Sequence, residues 1–347
     1  MSEPAAHRPV GIIVNPLSGR DVRRLAARAG TSTPEDKRNQ VQRILVGAAA
    51  GGATAAVLVR DPFRIANAAI EALGIEIEVE LLDLGARCHP GDTPAAARAM
   101  RERGCGAIVV LGGDGTNRSI ARVWPDAPLV PVSTGTNNVF PTMVEATMAG
   151  AAAGLVASGR VPLARVARPA KLVRVAIEDE PDDLALIDVV LLVDDSLGNR
   201  MPYEPGKIRR LVVSRAEPCA VGVSPVAGLL HPVDADEDAG VEVTCARDGD
   251  PLLVPISPGL YTQLGIASSR VIGLGEEVFV EGPGLLAFDG DRERALAPGQ
   301  KARIWVERTG PRVIDVPGAL REAALRGSYS DGRHWHDHRT RVSAGCC

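Results

Sequence analysis

Residues 112–116 have the sequence GGDGT and directly follow an apolar run at 107–111. Glycines let the backbone turn sharply and approach a ligand closely. We predict that a helix begins at Thr116, where unpaired N–H groups and the positive end of the helix dipole favour phosphate. Asp114 then lies where a carboxylate can act as a general base or hold a metal ion. The pattern predicts a phosphate-binding loop with Asp114 as its catalytic residue. The alternative is a glycine-rich turn whose aspartate only caps a helix.

A second loop rich in small polar residues follows the apolar run 128–132. Hydroxyl and amide side chains there can hold ribose or phosphate oxygens through hydrogen bonds. In open α/β sheets, ligands bind beyond the carboxyl ends of the strands, where we expect both loops to lie. The cluster could also be no more than a turn. Its residues are Thr134, Gly135, Thr136, Asn137 and Asn138.

The segments that must position these loops alternate between strand-like and helix-like patterns. Such alternation predicts βαβ units and a doubly wound parallel sheet, a Rossmann-like α/β domain that we place at residues 9–165. The predicted strands are 10–14, 55–59, 76–82, 107–111 and 129–132, and the predicted helices include 35–49 and 94–103.

Short strand-like runs separated by turn residues predict an all-β, sandwich-like domain at residues 166–312. We expect residues 313–326 to form a last strand and helix that return to the first domain. The polar segment 327–347 is predicted to be a flexible tail. Its three histidines and two cysteines resemble metal ligands in composition only, because a structural zinc site needs four preorganised ligands.

Bulk composition excludes several classes of protein. A net charge of -4 gives no general attraction to nucleic acid or to an anionic membrane. The six cysteines are scattered, which is typical of reduced thiols rather than of a disulfide framework. The amino terminus does not resemble a signal peptide, and no apolar run approaches the roughly 20 residues that span a bilayer. We therefore expect a cytoplasmic protein without a nucleic-acid or membrane partner.

A basic loop at 199–210 allows two interpretations. Its cations could form a lid that clamps phosphates, or they could be an ordinary solvated face. The four cations are Arg200, Lys207, Arg209 and Arg210.

The motifs resemble those of a known group of kinases. The GGDGT string after an apolar strand is similar to the signature shared by NAD kinases, diacylglycerol kinases and sphingosine kinases. Asn15, Pro16, Ser18 and Gly19 resemble the phosphate-side motif of the lipid-kinase branch. The strings VNPLSGRDVRRL, VVLGGDGTNR and VPVSTGTNNVFPTMVEATMAG are most similar to the ATP-NAD kinase-like family of the acetoin catabolism X type. Residues 285–291 resemble a strand in the β-domain of this superfamily.

The resemblance extends over about residues 10–316 and implies an ATP-dependent kinase in which the β-rich domain closes one side of the nucleotide cleft. It implies that Asp114 activates the acceptor hydroxyl or organises Mg²⁺ or another divalent cation. Phosphate contacts are implied for Gly112, Gly113, Gly115 and Thr116, with Asn15 and Ser18 nearby. Contacts to the donor or acceptor nucleotide are implied for Thr134, Gly135, Thr136, Asn137 and Asn138.

The stretch 185–190 departs from the family pattern. NAD kinases carry an Asn-Glu pair there that binds the dinucleotide, whereas this chain keeps a single acid, Asp188. The resemblance implies NAD as the default acceptor and Asp188 as its contact. Two alternatives remain: a kinase for another small or lipid-like alcohol, and a nucleotide-binding accessory protein without turnover. The intact Asp114 favours an enzyme, and a homo-oligomer is compatible with either class.

Overall fold

The computed structural model describes residues 8–19, 32–135 and 137–330. The first half of the chain alternates strands and helices. Its strands are β1 (Val10–Val14), β2 (Ala55–Val59), β3 (Glu78–Leu82), β4 (Ala107–Gly112), β5 (Pro128–Ser133) and β6 (Ala167–Pro169). Its helices are α1 (Pro34–Ala50), α2 (Ile65–Glu71), α3 (Asp92–Glu102), α4 (Asp114–Ala121), α5 (Ala146–Ala157) and α6 (Leu163–Val166).

The second half is dominated by strands, with two further helices. Its strands are β7 (Leu172–Ile177), β8 (Asp183–Ala185), β9 (Asp188–Leu192), β10 (Ile208–Val213), β11 (Ala239–Ser257), β12 (Leu260–Gly273), β13 (Val278–Glu281), β14 (Gly284–Phe288), β15 (Asp291–Leu296), β16 (Lys301–Glu307) and β17 (Arg312–Ile314). The helices are α7 (Ser224–Gly228) and α8 (Val316–Leu325).

The first sheet has the strand order β3-β2-β1-β4-β5-β17-β6. Strands β1 to β5 and β17 pair in parallel, and only β6 runs antiparallel to its neighbour. Every residue of β4 and β5 is buried, as expected for central strands that helices cover on both faces. The predicted parallel α/β sheet is confirmed.

Strands β7 to β16 form two antiparallel sheets, which we call the β-domain. One sheet has the order β12-β11-β10-β9-β14-β15 and the other β13-β16-β7-β8. The two sheets bury a shared core in which Val173 and Ile304 of the smaller sheet accompany Val212 and Phe288 of the larger one. The predicted antiparallel β region is therefore also confirmed.

The end of the described chain returns to the first sheet. Strand β17 pairs in parallel with β5, and α8 buries Ala319 and Ala323 in the core of the α/β region. The first sheet is thus built from two separate stretches of sequence.

Helices α1 and α5 cross with their backbones in close contact at two glycines. A Cβ atom added to Gly47 would lie 2.0 Å from the carbonyl oxygen of Thr147, and one added to Gly150 would lie 2.1 Å from that of Ile44. Side chains larger than hydrogen are sterically excluded at both glycines. Because α1 follows the loop after β1 and α5 follows the loop after β5, this crossing fixes the two loops relative to each other.

Candidate active site

A cavity of about 480 Å³ lies at the carboxyl ends of the parallel strands. This is the edge at which open α/β sheets bind their ligands. The α/β region contributes residues 13–19 and 59–62 and parts of 86–96, 113–119 and 134–138 to its wall. The β-domain contributes Arg200, Asp289 and Asp291. The cavity is therefore a cleft between the two parts of the molecule.

Most of the residues predicted to bind nucleotide lie on this wall. They are Asn15, Ser18, Gly113, Asp114, Gly115, Thr116, Thr134, Gly135, Asn137 and Asn138.

Two predicted residues within the described ranges do not line the cavity. Gly112 ends β4 and does not line the cavity; a Cβ atom there would lie 2.7 Å from the side chain of Thr116. Asp188 is buried at the start of β9 and does not line the cavity either. Thr136 lies outside the described residues, as do residues 331–347 of the predicted tail.

Helix α4 begins at Asp114, two residues before the predicted start, so the prediction of Thr116 is wrong. The extended backbone of Gly113 serves as the N-cap, and no side-chain cap is formed among the described residues. Thr116 N–H donates back to the carbonyl oxygen of Gly113 at 3.1 Å, so the N–H groups of Asp114 and Gly115 are the ones that the helix itself does not use and that can bind an anion. Asp114 accepts hydrogen bonds from the backbone N–H groups of Val139 and Phe140, the latter at 2.8 Å. Its carboxylate thus joins the two loops instead of capping its own helix.

Side-chain hydrogen bonds also connect the loop after β1 to the other two. Asn15 donates from Nδ2 to Thr116 Oγ1 at 2.9 Å. Thr134 donates from Oγ1 to Ser18 Oγ at 2.8 Å. Polar residues from three strand ends therefore form one continuous surface.

The side chain of Lys37 holds the loop after β1 in place. Its buried ammonium group donates to the carbonyl oxygens of Asn15, Pro16 and Ser18 at 2.9, 2.8 and 2.6 Å. Because all three carbonyl groups bind the lysine, the path of the loop backbone is fixed. The sequence analysis missed this residue, because nothing in the local sequence distinguishes a buried lysine in a first helical turn from a solvated one.

The loop after β5 depends on its own polar side chains. Asn138 donates from Nδ2 to Ser133 Oγ at 2.8 Å, and Ser133 donates to the carbonyl oxygen of Gly135 at 2.7 Å. A Cβ atom on Gly113 would lie 2.7 Å from Asn138 Oδ1, so glycine lets the two loops approach without displacing that side chain. The buried Asn137 Oδ1 accepts no hydrogen bond within the described ranges.

The environment of Asp114 changes its acidity. Burial, reinforced by the nearby carboxylate of Asp289, raises the pKa of Asp114 to about 7. The N–H groups of Phe140 and Val139 and the guanidinium of Arg215 oppose this rise in pKa. A carboxyl group with such a pKa can exchange a proton near neutral pH, as a general base must.

Asp289 occupies the turn between β14 and β15 in a left-handed conformation, with φ of 48°. It accepts hydrogen bonds from the backbone N–H groups of Leu186, Ile187 and Asp188. Burial raises the pKa of Asp289, and the guanidinium of Arg118 opposes that effect. The sequence resemblance included the string 285–291, but the sequence analysis assigned no site role to Asp289.

Arg118 connects α4 to the β-domain. It lies one helical turn after Asp114 and is buried. Its guanidinium donates to the carbonyl oxygen of Phe288 at 2.6 Å, to Asp291 Oδ2 at 2.9 Å and to Glu293 Oε1 at 2.5 Å. The helix that begins with Asp114 is thereby fixed to the turn that carries Asp289.

The carboxylates on the cavity wall suit a cation that arrives with a nucleotide. No group of three or more His, Cys, Asp or Glu side chains within residues 8–19, 32–135 and 137–330 could hold a metal ion unaided. Carboxylate oxygens are nevertheless ligands that Mg²⁺ prefers, and this ion is commonly bound by one or two carboxylates together with substrate phosphates. Asp114 and Asp291, which both line the cavity, fit that arrangement.

The four cations of the basic loop do not act together. Lys207 pairs with Glu204 at 2.8 Å, and Arg210 pairs with Glu242 at 3.0 Å. Arg209 donates to the backbone carbonyl of Gly206 at 2.8 Å. Only Arg200 among the four lines the cavity.

None of the helices in the described ranges is both long and apolar enough to cross a membrane.

Comparisons with known proteins agree with this architecture. Residues 10–161 match the ATP-NAD kinase N-terminal domain, and residues 171–309 match the acetoin catabolism protein X C-terminal domain. The crystal structure of yeast NADH kinase complexed with NADH superposes with a TM-score of 0.52 and 12% identity, covering 95% of this chain and 90% of that one. At that identity the likeness shows a shared fold.

A curated relative extends the match across both domains. The chain is 35% identical over 330 residues to acetoin catabolism protein X of Cupriavidus necator, covering 90% of this chain and 92% of the relative. The chain therefore belongs to the acetoin catabolism protein X family, with an N-terminal domain and a fold of the NAD kinase type.

Proposed function

We propose that this protein is an ATP-dependent kinase that transfers the γ-phosphoryl group of ATP to a hydroxyl, with Asp114 as the general base. The observation that carries the proposal is the placement of Asp114. Its carboxyl group has a pKa of about 7, so it can accept a proton near neutral pH. It also lies at the start of α4, and the amino-terminal end of a helix can bind phosphate. The match to the ATP-NAD kinase N-terminal domain supports the same reaction.

In this proposal the three loops bind the phosphates of ATP. The N–H groups of Asp114 and Gly115 and the hydroxyl of Thr116 face the phosphate oxygens, while Gly113 lets the loop after β5 approach the start of α4 closely. A divalent cation bound with ATP would neutralise phosphate charge. Asp114 accepts the proton of the acceptor hydroxyl as that oxygen attacks the γ-phosphorus, while the bond from the γ-phosphorus to the β–γ bridging oxygen breaks and ADP leaves. Phosphoryl transfer depends mainly on positioning and charge stabilisation, so the site needs no further reactive group.

NAD is the first acceptor to test, because the N-terminal domain match and the shared fold with a NADH kinase both support a dinucleotide. One observation favours a different alcohol. Asp188, the acid left where NAD kinases carry their Asn-Glu pair, does not line the cavity. A smaller alcohol would not need a contact from that stretch.

The decisive experiment is an assay with purified protein, ATP, Mg²⁺ and a panel of NAD, NADH, diols and lipid alcohols, scored by ADP release and by the mass of the phosphorylated product. We expect Asp114→Asn to lower the rate by about 10²–10⁴-fold, as loss of a general base does. Asp126→Asn, at an exposed aspartate before β5, is the matched control and should retain full activity.

Two results would contradict the proposal. Most of the activity surviving in a folded Asp114→Asn variant would place the base elsewhere. Binding of ATP without ADP release for any acceptor would instead indicate the accessory nucleotide-binding protein.

A further inference from the structure

We propose that Arg200 binds the phosphates of the nucleotide from the β-domain side of the cleft. This inference rests on the proposed function and adds to it a specific residue with a specific ligand chemistry. The shared chemistry is a polyphosphate, which either the triphosphate of ATP or the diphosphate of a dinucleotide acceptor would supply.

The side chain of Arg200 is available to a ligand. It is exposed, lines the cavity, and forms no hydrogen bond or ion pair with any residue of the described ranges. Arg60 is the other arginine that the described part of the chain places on the wall, and it pairs with Asp83 at 3.4 Å. A planar guanidinium with a fork of donors can bind phosphate oxygens in pairs.

The loop that carries Arg200 is held in place by buried charges. Asp195 and Arg292 form an ion pair at 3.3 Å whose side chains are only 3% and 1% exposed. The guanidinium of Arg292 also lies 4.3 Å from the ring centre of Tyr203. Removing two charges from water is expensive, so such a pair must be well coordinated to persist. Here it fixes the path of the loop beside the cleft.

Hydrogen bonds extend this rigidity to both neighbours of Arg200. Asn199 donates from Nδ2 to Asp195 Oδ1 at 2.6 Å, and the N–H group of Met201 donates to Asn199 Oδ1 at 3.0 Å. These two bonds hold the backbone on each side of Arg200, while its side chain has no partner in the part of the chain that the structure describes. Preorganisation of this kind lowers the entropic cost of binding a ligand.

The cavity wall carries negative charge that the guanidinium of Arg200 can offset when a phosphate binds. Among the described residues, five aspartates line the cavity, namely Asp61, Asp92, Asp114, Asp289 and Asp291. A polyphosphate that enters such a cleft would be repelled unless cations compensate for its charge. Arg200 supplies a positive charge from the protein, in addition to a cation that arrives with the nucleotide.

The test measures binding rather than turnover. Calorimetric titrations of ATP, NAD, adenosine and inorganic tripolyphosphate would compare the wild type with Arg200→Ala, Arg200→Lys and Arg209→Ala. Arg209 is the matched control, because it belongs to the same loop but donates to backbone carbonyls and does not line the cavity.

We expect Arg200→Ala to weaken tripolyphosphate binding and that of ATP, NAD or both by about 10–100-fold, the size of a lost hydrogen bond to a charged group. Adenosine affinity should stay unchanged, Arg200→Lys should restore part of the loss, and Arg209→Ala should match the wild type. If only ATP binding weakens, Arg200 contacts the phosphates of the donor. If only NAD binding weakens, it contacts the phosphates of the acceptor.

The outcomes separate this proposal from the proposed function. Unchanged affinities in Arg200→Ala, or an equal loss in Arg209→Ala, would overturn the role of Arg200 while leaving the kinase reaction intact. A wild type that binds none of the phosphate-bearing probes would contradict both. Binding of tripolyphosphate that depends on Arg200, without any kinase activity, would support Arg200 and contradict the kinase.

Discussion

Asn15 Nδ2 lies 2.9 Å from Thr116 Oγ1, although the two residues are 101 positions apart in the chain. This hydrogen bond joins the loop after β1 to the GGDGT loop. The two motifs therefore form one surface, and displacing one of them disturbs the other.

A double-mutant cycle can measure that coupling. Asn15→Ala and Thr116→Val each remove one partner of the hydrogen bond, so the free energy of unfolding should be non-additive. We expect a coupling of about 0.5–1.5 kcal/mol, the usual net contribution of one hydrogen bond. Additive losses in chemical denaturation would show that the two loops are held independently.

Lys37→Met should destabilise the protein and weaken ATP binding, because three carbonyl groups lose their common donor. The carbonyl of Asn15 keeps its hydrogen bond from Ser18 Oγ, so the loss falls on the carbonyls of Pro16 and Ser18. A buried polar group left without a partner costs about 1–3 kcal/mol, so we expect a total loss of about 2–6 kcal/mol. Denaturant unfolding measures that loss. Lys301→Met, at an exposed position on β16, is the control and should stay within about 0.5 kcal/mol of the wild type. Similar stabilities for the two variants would contradict the anchoring role of Lys37.

The rate of phosphoryl transfer should rise with pH through about 7, because burial and Asp289 raise the pKa of Asp114 to about 7 and a general base acts in its deprotonated form. Profiles of kcat/KM between pH 5 and 9 measure this rise. The apparent pKa belongs to the pair of carboxyl groups, since the two interact. A rate that is already maximal at pH 5 would show that Asp114 titrates near its ordinary value of 3.8.

Stability should show the opposite dependence on pH. Between pH 3.8 and about 7 the folded chain keeps a proton on Asp114 that the unfolded chain has released. The contribution of Asp114 is therefore fully present below pH 3.8 and is lost as pH rises through 7. Asparagine cannot ionise and avoids this loss. The melting temperature of Asp114→Asn should exceed that of the wild type by more at pH 8 than at pH 5, and a difference independent of pH would contradict the raised pKa.

Asp188→Ala tests the dinucleotide contact suggested by family resemblance. A direct contact predicts a tenfold to hundredfold loss of NAD affinity with little change for ATP. Because Asp188 is buried and does not line the cavity, we expect a lower melting temperature and no selective loss of NAD. Separate dissociation constants for NAD and ATP, measured on the folded variant, distinguish the two outcomes.

Local sequence was sufficient to predict the parallel sheet and the loop that contains Asp114. An apolar strand followed by glycines determines where the backbone turns, and that information lies within a few residues. The start of α4 was misplaced because a glycine with an extended backbone, Gly113, provides the N-cap without any side-chain signal.

Relationships across the two domains could not be predicted in the same way. Arg118 meets Asp291 and Glu293 only after the β-domain has folded against α4. The position of Asp188 shows a second reason why the sequence did not predict the whole site. Successive side chains of a strand point to opposite faces, so resemblance along a strand does not settle which residue faces a ligand.

The pairing of β17 with β5 has a consequence for how the protein is made. The ribosome adds β17 only after the whole β-domain, so the α/β region emerges from the exit tunnel with its sheet incomplete. Until Arg312 and Val313 arrive, Pro128 and Leu129 at the start of β5 lack their partners on that side, whereas the end of β5 already pairs with Thr142. The first sheet therefore cannot be completed during translation before the β-domain has been synthesised.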